Sequence, residues 1–371
     1  MITRRTLFAG SVATMVTTQM ARAQVFPPEG HGAPLGTAPF PPEVFRERRE
    51  KVMAELKDGI AVVYGAEREE QGEVSAPFVQ NENFAWLTGI VDEPGAILVL
   101  APAARKFREF LLLPPRNPET ERWDIERLPL GAAMERRTGF PRVYRTSSLG
   151  NLLEGLTANA RALHFLGPIV PPSAPVPPEL ELYGKIQQRV PGAHVVDNSD
   201  LMARLRLVKE PREIEQTKLA MAATRRGHLA AMREVRPGWT ERRLKGLVEA
   251  EFLAGGGQGL AYDSIVGSGR NAASLHYRGG EATIADGDLI LIDAAAAVGG
   301  YATDVTRTFP ANGRFTPEQR SLYELVLKAQ SAAAAQLKAG VYYEDLSEIA
   351  RGRDRNRRSG RRRGRRPWRS R

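Results

Sequence analysis

Residues 288–310 read DLILIDAAAAVGGYATDVTRTFP, a pattern that predicts two strands around a tight turn. Leu289–Ile292 is a short apolar run with β-branched residues, and Tyr301–Phe309 alternates small or apolar residues with polar ones. Gly299 and Gly300 supply the turn, because glycine adopts the positive φ angles that tight hairpin turns require. This stretch therefore predicts a β-hairpin.

Two aspartates lie within this hairpin. A turn centred between Val298 and Gly299 places Asp293 directly opposite Asp304, and the Cβ atoms of such a pair lie about 4.5–5.5 Å apart. Like charges at that distance destabilise a hairpin unless a proton or a cation lies between them. Carboxylate oxygens suit divalent ions such as Mn²⁺ or Zn²⁺, so we predict that both aspartates bind metal. The alternative is a shifted register, in which both are ordinary strand-end or turn residues.

Length and composition set wider bounds. At 371 residues the chain is long enough for two domains with sizeable cores. It contains no cysteine, which excludes disulfides, thiolate catalysis and cysteine-ligated zinc. The formal charge of +10 suggests nucleic-acid binding, but residues 351–371 alone hold twelve arginines and one aspartate. The rest of the chain is therefore close to neutral, and we expect no specific nucleic-acid partner.

The first 23 residues have the features of an export signal. They combine the twin-arginine sequence TRRTLF at 3–8, a moderately apolar middle and a small-x-small cleavage site at 21–23. The apolar segment is too short to span a membrane. We therefore predict a twin-arginine signal peptide at 1–23, a periplasmic or secreted protein and no membrane span. Residues 24–42 are rich in proline and glycine and are predicted to form a spacer.

Helices and strands alternate after the spacer. A charged helix is predicted at Glu43–Leu56 and a strand at Ile60–Tyr64. Short apolar runs follow at 84–89, 96–100 and 110–113, with a helix near 125–137 and a strand at 162–166. This alternation predicts a sheet with helices packed on it. A domain boundary is expected near 198–201, after a proline-rich loop at 168–178.

The second half begins with helices. Pro211 and Glu213 mark the start of a helix that continues to about Val235, and Thr240 is a candidate N-cap for another through Phe252. Residues 262–269 are predicted to form a strand and turn, and helices are predicted at 317–337 and 341–350. The chain is therefore assigned to the α/β (α+β) class.

Several stretches together resemble one family. They are Glu43–Leu56, FAWLTG at 84–89, PPRNP at 114–118 with Trp123, LVKEPRE at 207–213, residues 262–269, Leu275-His276-Tyr277 and the aspartate hairpin. The combination resembles the Xaa-Pro aminopeptidases (aminopeptidase P) of the pita-bread metallopeptidase family. The resemblance implies an aminopeptidase P N-terminal α/β domain over 43–200 and the first part of a pita-bread catalytic domain over 201–350.

The resemblance also assigns roles to individual residues. Asp293 matches a metal ligand of the family and Asp304 the ligand that bridges two metals. His276 matches a catalytic histidine on the substrate side that is not a ligand. The implied cofactors are two divalent ions, with Mn²⁺ favoured, and the implied substrate is a peptide with proline in second position. In that chemistry the two ions yield a hydroxide that attacks the peptide carbonyl before proline. A homo-oligomer is a further expectation.

This sequence departs from the family pattern after the hairpin. The family needs one more histidine and two more glutamates as ligands, yet none of the five histidines follows Asp304. The four later glutamates, Glu318, Glu324, Glu344 and Glu348, lie on predicted helices that the resemblance makes peripheral. We therefore expect an incomplete catalytic domain with little or no peptidase activity. The arginine-rich sequence after Ala350 fits a shifted reading frame; a genuine basic tail is the alternative.

Two other functions remain open at this level. The chain could be a catalytically inactive pita-bread protein that binds peptides or a partner, or a relative with another substrate, such as a prolidase. Creatinase is disfavoured because that branch works without metal, whereas both hairpin aspartates are present here. Methionine aminopeptidase is disfavoured by the long N-terminal domain.

Overall fold

The computed structural model describes residues 39–67, 78–122, 127 and 129–352. The predicted signal peptide at 1–23, most of the spacer, Trp123 and most of the arginine-rich tail lie outside these residues. None of the described helices is both long enough and apolar enough to cross a membrane.

Ten α-helices and twelve strands are described. The helices are α1 (Pro42–Leu56), α2 (Glu82–Thr88), α3 (Ala132–Thr138), α4 (Leu149–Thr157), α5 (Pro178–Gln187), α6 (Leu201–Leu207), α7 (Pro211–Glu234), α8 (Glu241–Ala254), α9 (Pro317–Ala334) and α10 (Tyr343–Ala350). The strands are β1 (Ile60–Tyr64), β2 (Ile97–Leu100), β3 (Glu109–Leu113), β4 (Val143–Arg145), β5 (Ala162–Phe165), β6 (His194–Asp197), β7 (Gly259–Leu260), β8 (Ile265–Ser268), β9 (Leu289–Asp293), β10 (Ala296–Val298), β11 (Tyr301–Ala302) and β12 (Thr306–Pro310).

The first six strands form one mixed sheet in the order β4-β3-β2-β1-β5-β6. Its central strands are buried on both faces: Ala61 and Val63 of β1 pack into one core, and Ile60 and Val62 into another. Such strands are apolar throughout, which is why they appear as continuous apolar runs in the sequence. The sheet and its helices confirm the predicted α/β class. Leu201 and Met202 of α6 also pack into the first core.

The structure defines two stretches of this half more closely. The apolar run at 84–89 lies in helix α2 and the glycine that ends it. The Asn81 side chain accepts hydrogen bonds from the amides of Asn83 and Phe84 and caps the helix, and Gly89 ends it at a φ of 74°. The helix expected near 125–137 is described only as α3, from Ala132 to Thr138.

Helices α7 and α8 cover two three-stranded sheets, β11-β10-β7 and β12-β9-β8. The expected starts of both helices are confirmed: Glu210 and Glu213 form a capping box at α7, and the Thr240 hydroxyl caps α8. The two helices cross closely at Gly227, where an added Cβ atom would lie 2.4 Å from the Phe252 ring. Glycine at this point is required for that approach.

The hairpin forms, but its register differs from the expected one. Val298 pairs with Tyr301 and Asp293 pairs with Thr306, so Asp293 does not face Asp304 directly. The reason is the turn: Gly299 and Gly300 both have positive φ, 60° and 80°, and therefore occupy its two central positions. Moving a pairing partner by two residues leaves a side chain on the same face of the sheet. The two aspartates are therefore diagonal neighbours on one face.

Helix α9 follows the hairpin and begins at Pro317, as predicted, with the Thr316 hydroxyl as its cap. None of its side chains is buried among the described residues, and Leu322, Leu325 and Val326 are each at least 64% exposed. This helix leaves its apolar residues facing solvent.

Candidate functional site

Asp293 and Asp304 converge on one hydroxyl group. The Tyr262 hydroxyl donates a hydrogen bond to Asp293 Oδ1 at 2.5 Å, and Asp304 Oδ1 lies 3.2 Å from the same oxygen. The backbone amide of Val305 donates to that oxygen at 3.4 Å. The structure therefore brings together the two aspartates expected from the sequence and adds a tyrosine between them.

The position of Tyr262 follows from its place between two strands. It comes just after β7 and just before β8, and both strands pair with the hairpin. Ala261 donates to the Ala295 carbonyl at 2.8 Å, and Ile265 pairs with Asp293. The phenol is thus carried across the face on which both aspartates lie. Tyr262 opens the strand and turn predicted at 262–269, but its contact with the aspartates depends on the sheet order, which residue spacing does not reveal.

The environment keeps the Tyr262 hydroxyl protonated. Partial burial raises its pKa, and the hydrogen bond to Asp293 raises it further because it favours the neutral phenol. The hydroxyl therefore remains a donor at neutral pH. Asp293 is half-buried and Asp304 is exposed, so the pair is open to solvent on the Asp304 side.

His228 supports the hairpin from behind. Its Nε2 lies 2.9 Å from the carbonyl oxygen of Ala294, the neighbour of Asp293, and its ring packs near Phe252. A carbonyl only accepts, so Nε2 carries the proton. Burial lowers the pKa of His228, which favours the neutral ring. His228 is therefore a buried packing histidine.

His276 is placed apart from these contacts. It lies in the exposed segment after a short 3₁₀ helix at Gly269–Ala273, and none of the described residues is hydrogen-bonded to its imidazole. The structure therefore makes the ring accessible. Within the described part of the chain, no hydrogen bond or ion pair joins His276 to the aspartate pair.

The donor set is too small for a closed metal centre. Within the described ranges, no group of three or more histidine, aspartate and glutamate side chains could hold a metal ion. Protein sites for transition metals and for Ca²⁺ or Mg²⁺ use four or more ligands, some of them water. Asp293 and Asp304 fit a loosely held, mostly hydrated cation, and they do not fit a two-metal centre on their own. Glu324 and Glu348 form ion pairs with Arg320 and Arg351 instead.

Two family models match the chain. The model for metallopeptidase family M24 matches residues 215–361, and the model for the aminopeptidase P N-terminal domain matches residues 45–164. These matches cover the hairpin and most of the first sheet, respectively.

Curated relatives and solved structures agree with the models. The Xaa-Pro aminopeptidase of Haemophilus influenzae is 33% identical over 308 residues, covering 82% of this chain and 69% of the relative. The Escherichia coli enzyme of that name is 34% identical over 77% of this chain and 66% of its own length. The structure of Pseudomonas aeruginosa aminopeptidase PepP has a TM-score of 0.74 and 33% identity, covering 84% of this chain and 71% of that chain. The chain thus spans about two thirds of the length of these relatives.

Proposed function

The chain belongs to the M24 metallopeptidase family and carries an aminopeptidase P N-terminal domain, and from this we propose that it acts on peptides with proline in second position. The reaction proposed is hydrolytic release of the residue before that proline. The observation that carries the proposal is the convergence of Asp293 and Asp304 on the Tyr262 hydroxyl. Xaa-Pro aminopeptidase is also the name of the relatives that match both domains.

Membership of the family implies divalent metal ions. We infer that Asp293 and Asp304 are the ligands this chain contributes, since they share a face and Asp304 is open to solvent. Mn²⁺ and a count of two ions are finer proposals that rest on the family resemblance. The Tyr262 hydroxyl restrains both carboxylates by hydrogen bonding, so it would hold their orientation before a cation binds.

The small donor set favours a second candidate function. With only two carboxylates at the site, the described residues lack the ligands that a tight metal centre requires. We therefore propose that the 371-residue chain by itself has little or no peptidase activity and can bind proline-containing peptides without cleaving them. His276, with its accessible ring, is the residue proposed to contact the substrate.

Peptide hydrolysis and peptide binding can be measured on the same preparation. The purified chain is incubated with Mn²⁺ and either Ala-Pro-Ala or Ala-Ala-Ala, and released alanine and peptide binding are both recorded. We expect any release to be confined to Ala-Pro-Ala, to require Mn²⁺ and to disappear in Asp293→Asn. Binding of Ala-Pro-Ala without release would support the second candidate. Equal release and equal binding of Ala-Pro-Ala and Ala-Ala-Ala would contradict both candidates, and so would release of alanine without Mn²⁺.

Export and assembly stay predictions of the sequence. We propose export through the twin-arginine sequence at 3–8, which lies outside the described residues, and assembly as a homo-oligomer. Mass spectrometry of the exported protein would show cleavage after Ala23 if the first of these is right.

A further inference from the structure

A fully buried carboxylate lies outside the site described above. Glu241, the first residue of α8, has no exposed surface. Its Oε1 accepts three hydrogen bonds: from the Ser268 amide at 2.7 Å, the Ser268 hydroxyl at 2.9 Å and the Asn271 side-chain amide at 3.1 Å. Burying a charge is costly unless hydrogen bonds compensate. Hydrogen bonds to a carboxylate are roughly twice as strong as neutral ones, so this cluster must fix the two residues that it holds.

Ser268 and Asn271 begin the segment that carries His276. The Asn271 side-chain amide also donates to the Tyr277 hydroxyl at 2.9 Å. The Asn271 amide thus bridges Tyr277 and Glu241, and the nearby Glu241 carboxylate raises the pKa of Tyr277. The residues on both sides of the segment's tip are therefore tied to Glu241.

Residues 280–282, which follow the exposed tip, bind to the first turn of α8, the turn that also contains Glu241. The Arg242 amide donates to the Gly280 carbonyl at 2.8 Å, and the Glu241 amide donates to the Ala282 carbonyl at 3.1 Å. The chain passes Tyr277 so closely that a Cβ atom on Gly279 would lie 2.0 Å from its hydroxyl oxygen. Residues 268–280, here termed the His276 loop, are thus closed at their base by the first residues of α8.

The two ends of the His276 loop, Ser268 and Gly280, are buried, whereas its tip reaches solvent. His276 is exposed and Leu275 is 89% exposed. The base of the loop is connected to the aspartate hairpin, because Ser268 ends β8 and Ile265 of that strand pairs with Asp293. Contacts that hold Ser268 and Tyr277 in place therefore also determine the position of His276 relative to the aspartates.

We propose that Glu241 is a positioning residue, whose buried carboxylate closes the His276 loop and holds His276 at a fixed position relative to the aspartate hairpin. The importance of that place for a substrate rests on the proposed function, whereas the closure of the loop does not. Without Glu241, the loop keeps the pairing of Ser268 with Ile290 and the backbone contacts of Gly280 and Ala282, but it loses the carboxylate that joins Ser268 to Asn271. We expect the loop to become mobile while the sheets beneath it stay intact.

Hydrogen exchange and histidine NMR on the full chain test this proposal. In Glu241→Ala, amides of residues 268–277 should exchange roughly 10- to 100-fold faster, the effect of losing hydrogen bonds to a charged group, and the His276 ring signal should sharpen. Glu241→Gln retains one acceptor oxygen and should restore most of the protection. Tyr277→Phe should loosen the tip alone. Glu281→Gln is the matched control, since Glu281 is exposed and pairs only with Arg242 among the described residues.

The results separate positioning from general stability. A loop as protected in Glu241→Ala as in the unmodified chain would overturn the proposal, and so would equal acceleration across α8, β8 and β9. If Glu241→Ala does not fold, Tyr277→Phe decides the matter: the proposal is wrong if this variant leaves the exchange of the tip and the His276 signal unchanged. Hydrogen exchange and the His276 signal are both measured without metal or peptide. A failure of the proposed peptidase or peptide-binding function can therefore be told apart from a failure of this proposal.

Discussion

Glu213→Ala is expected to lower the free energy of unfolding by about 3–5 kcal/mol, the range found when one partner of a buried ion pair is removed. Glu213 is 3% exposed, and its carboxylate lies 3.2 Å from the Arg48 guanidinium. It also accepts hydrogen bonds from the Tyr301 hydroxyl at 2.8 Å and the Trp86 indole at 3.1 Å. Alanine would leave the buried Arg48 charge with the half-buried Glu210 carboxylate, 3.5 Å away, as its remaining acidic partner among the described residues.

This network joins the two halves of the chain. Arg48 and Trp86 lie on α1 and α2, Glu213 lies in the first turn of α7, and Tyr301 follows the glycine turn of the hairpin. The Arg48 guanidinium lies over the Trp86 ring, 4.6 Å from its centroid, which adds cation–π attraction. Burial and the hydrogen bond to Glu213 raise the pKa of Tyr301 to about 12, so its hydroxyl stays a donor at neutral pH. Loss of Glu213 should therefore loosen the hairpin as well as the domain contact.

Urea unfolding followed by circular dichroism measures this effect. Glu215→Ala is the matched control, because Glu215 lies two residues away on the same helix, is 66% exposed and pairs only with Lys218 among the described residues. An exposed pair of this kind contributes about 0–1 kcal/mol. Equal destabilisation by the two substitutions would show that the buried network does not hold the halves together.

Arg49→Ala is expected to have an effect of similar size, again about 3–5 kcal/mol. The Arg49 side chain is fully buried within the first domain. Its Nε donates to Glu109 at 2.7 Å, and one terminal nitrogen donates to the Leu87 carbonyl at 2.9 Å. The guanidinium also lies 3.9 Å from the centroid of the Phe140 ring. Burial lowers the pKa of Arg49, and the hydrogen bond to Glu109 partly offsets this effect. Because Arg49 is the ion-pair partner of Glu109, removing the arginine would leave the Glu109 carboxylate without that partner.

Two further variants make this prediction specific. Lys51→Ala, on the same helix, removes a surface pair with Glu210 and should cost no more than about 1 kcal/mol. The double variant Arg49→Met with Glu109→Leu removes both charges and should be much less destabilised than Arg49→Ala, since apolar replacements of buried pairs are often neutral. If the double variant is as unstable as Arg49→Ala, the loss of side-chain packing, and not the unpaired Glu109 charge, accounts for most of the destabilisation.

Local signals in the sequence predicted the helix starts in the second half. Thr240, Thr316 and Pro211 act through hydrogen bonds or φ restriction within their own first turn, so no tertiary information was needed. The secondary structure of FAWLTG at 84–89 is harder to predict, because a run of six apolar or small residues fits a strand or a buried helix equally well. The informative residue was Asn81, whose side chain caps α2 just outside the apolar run.

The site was predictable only in part for a related reason. Asp293 and Asp304 lie on one hairpin, so spacing alone placed them on one face, although the turn position was wrong by the width of one residue. Tyr262 reaches them through the pairing of β7 and β8 with the hairpin, which spacing does not reveal. The Arg48–Glu213 contact joins two domains, and arginine is so rarely buried that sequence patterns favour a surface position.

Calorimetric titration of the purified chain with Mn²⁺ tests most directly whether the hairpin aspartates bind a metal ion. With two carboxylate ligands, we expect one weak site, with a dissociation constant on the order of 10⁻⁴–10⁻³ M as in weak oxygen-ligand sites. Binding should be lost in Asp293→Asn and in Asp304→Asn. It should persist in Asp286→Asn, which alters an exposed aspartate that accepts only from Asn312 among the described residues. Mn²⁺ binding that is unchanged in both hairpin variants would contradict the assignment.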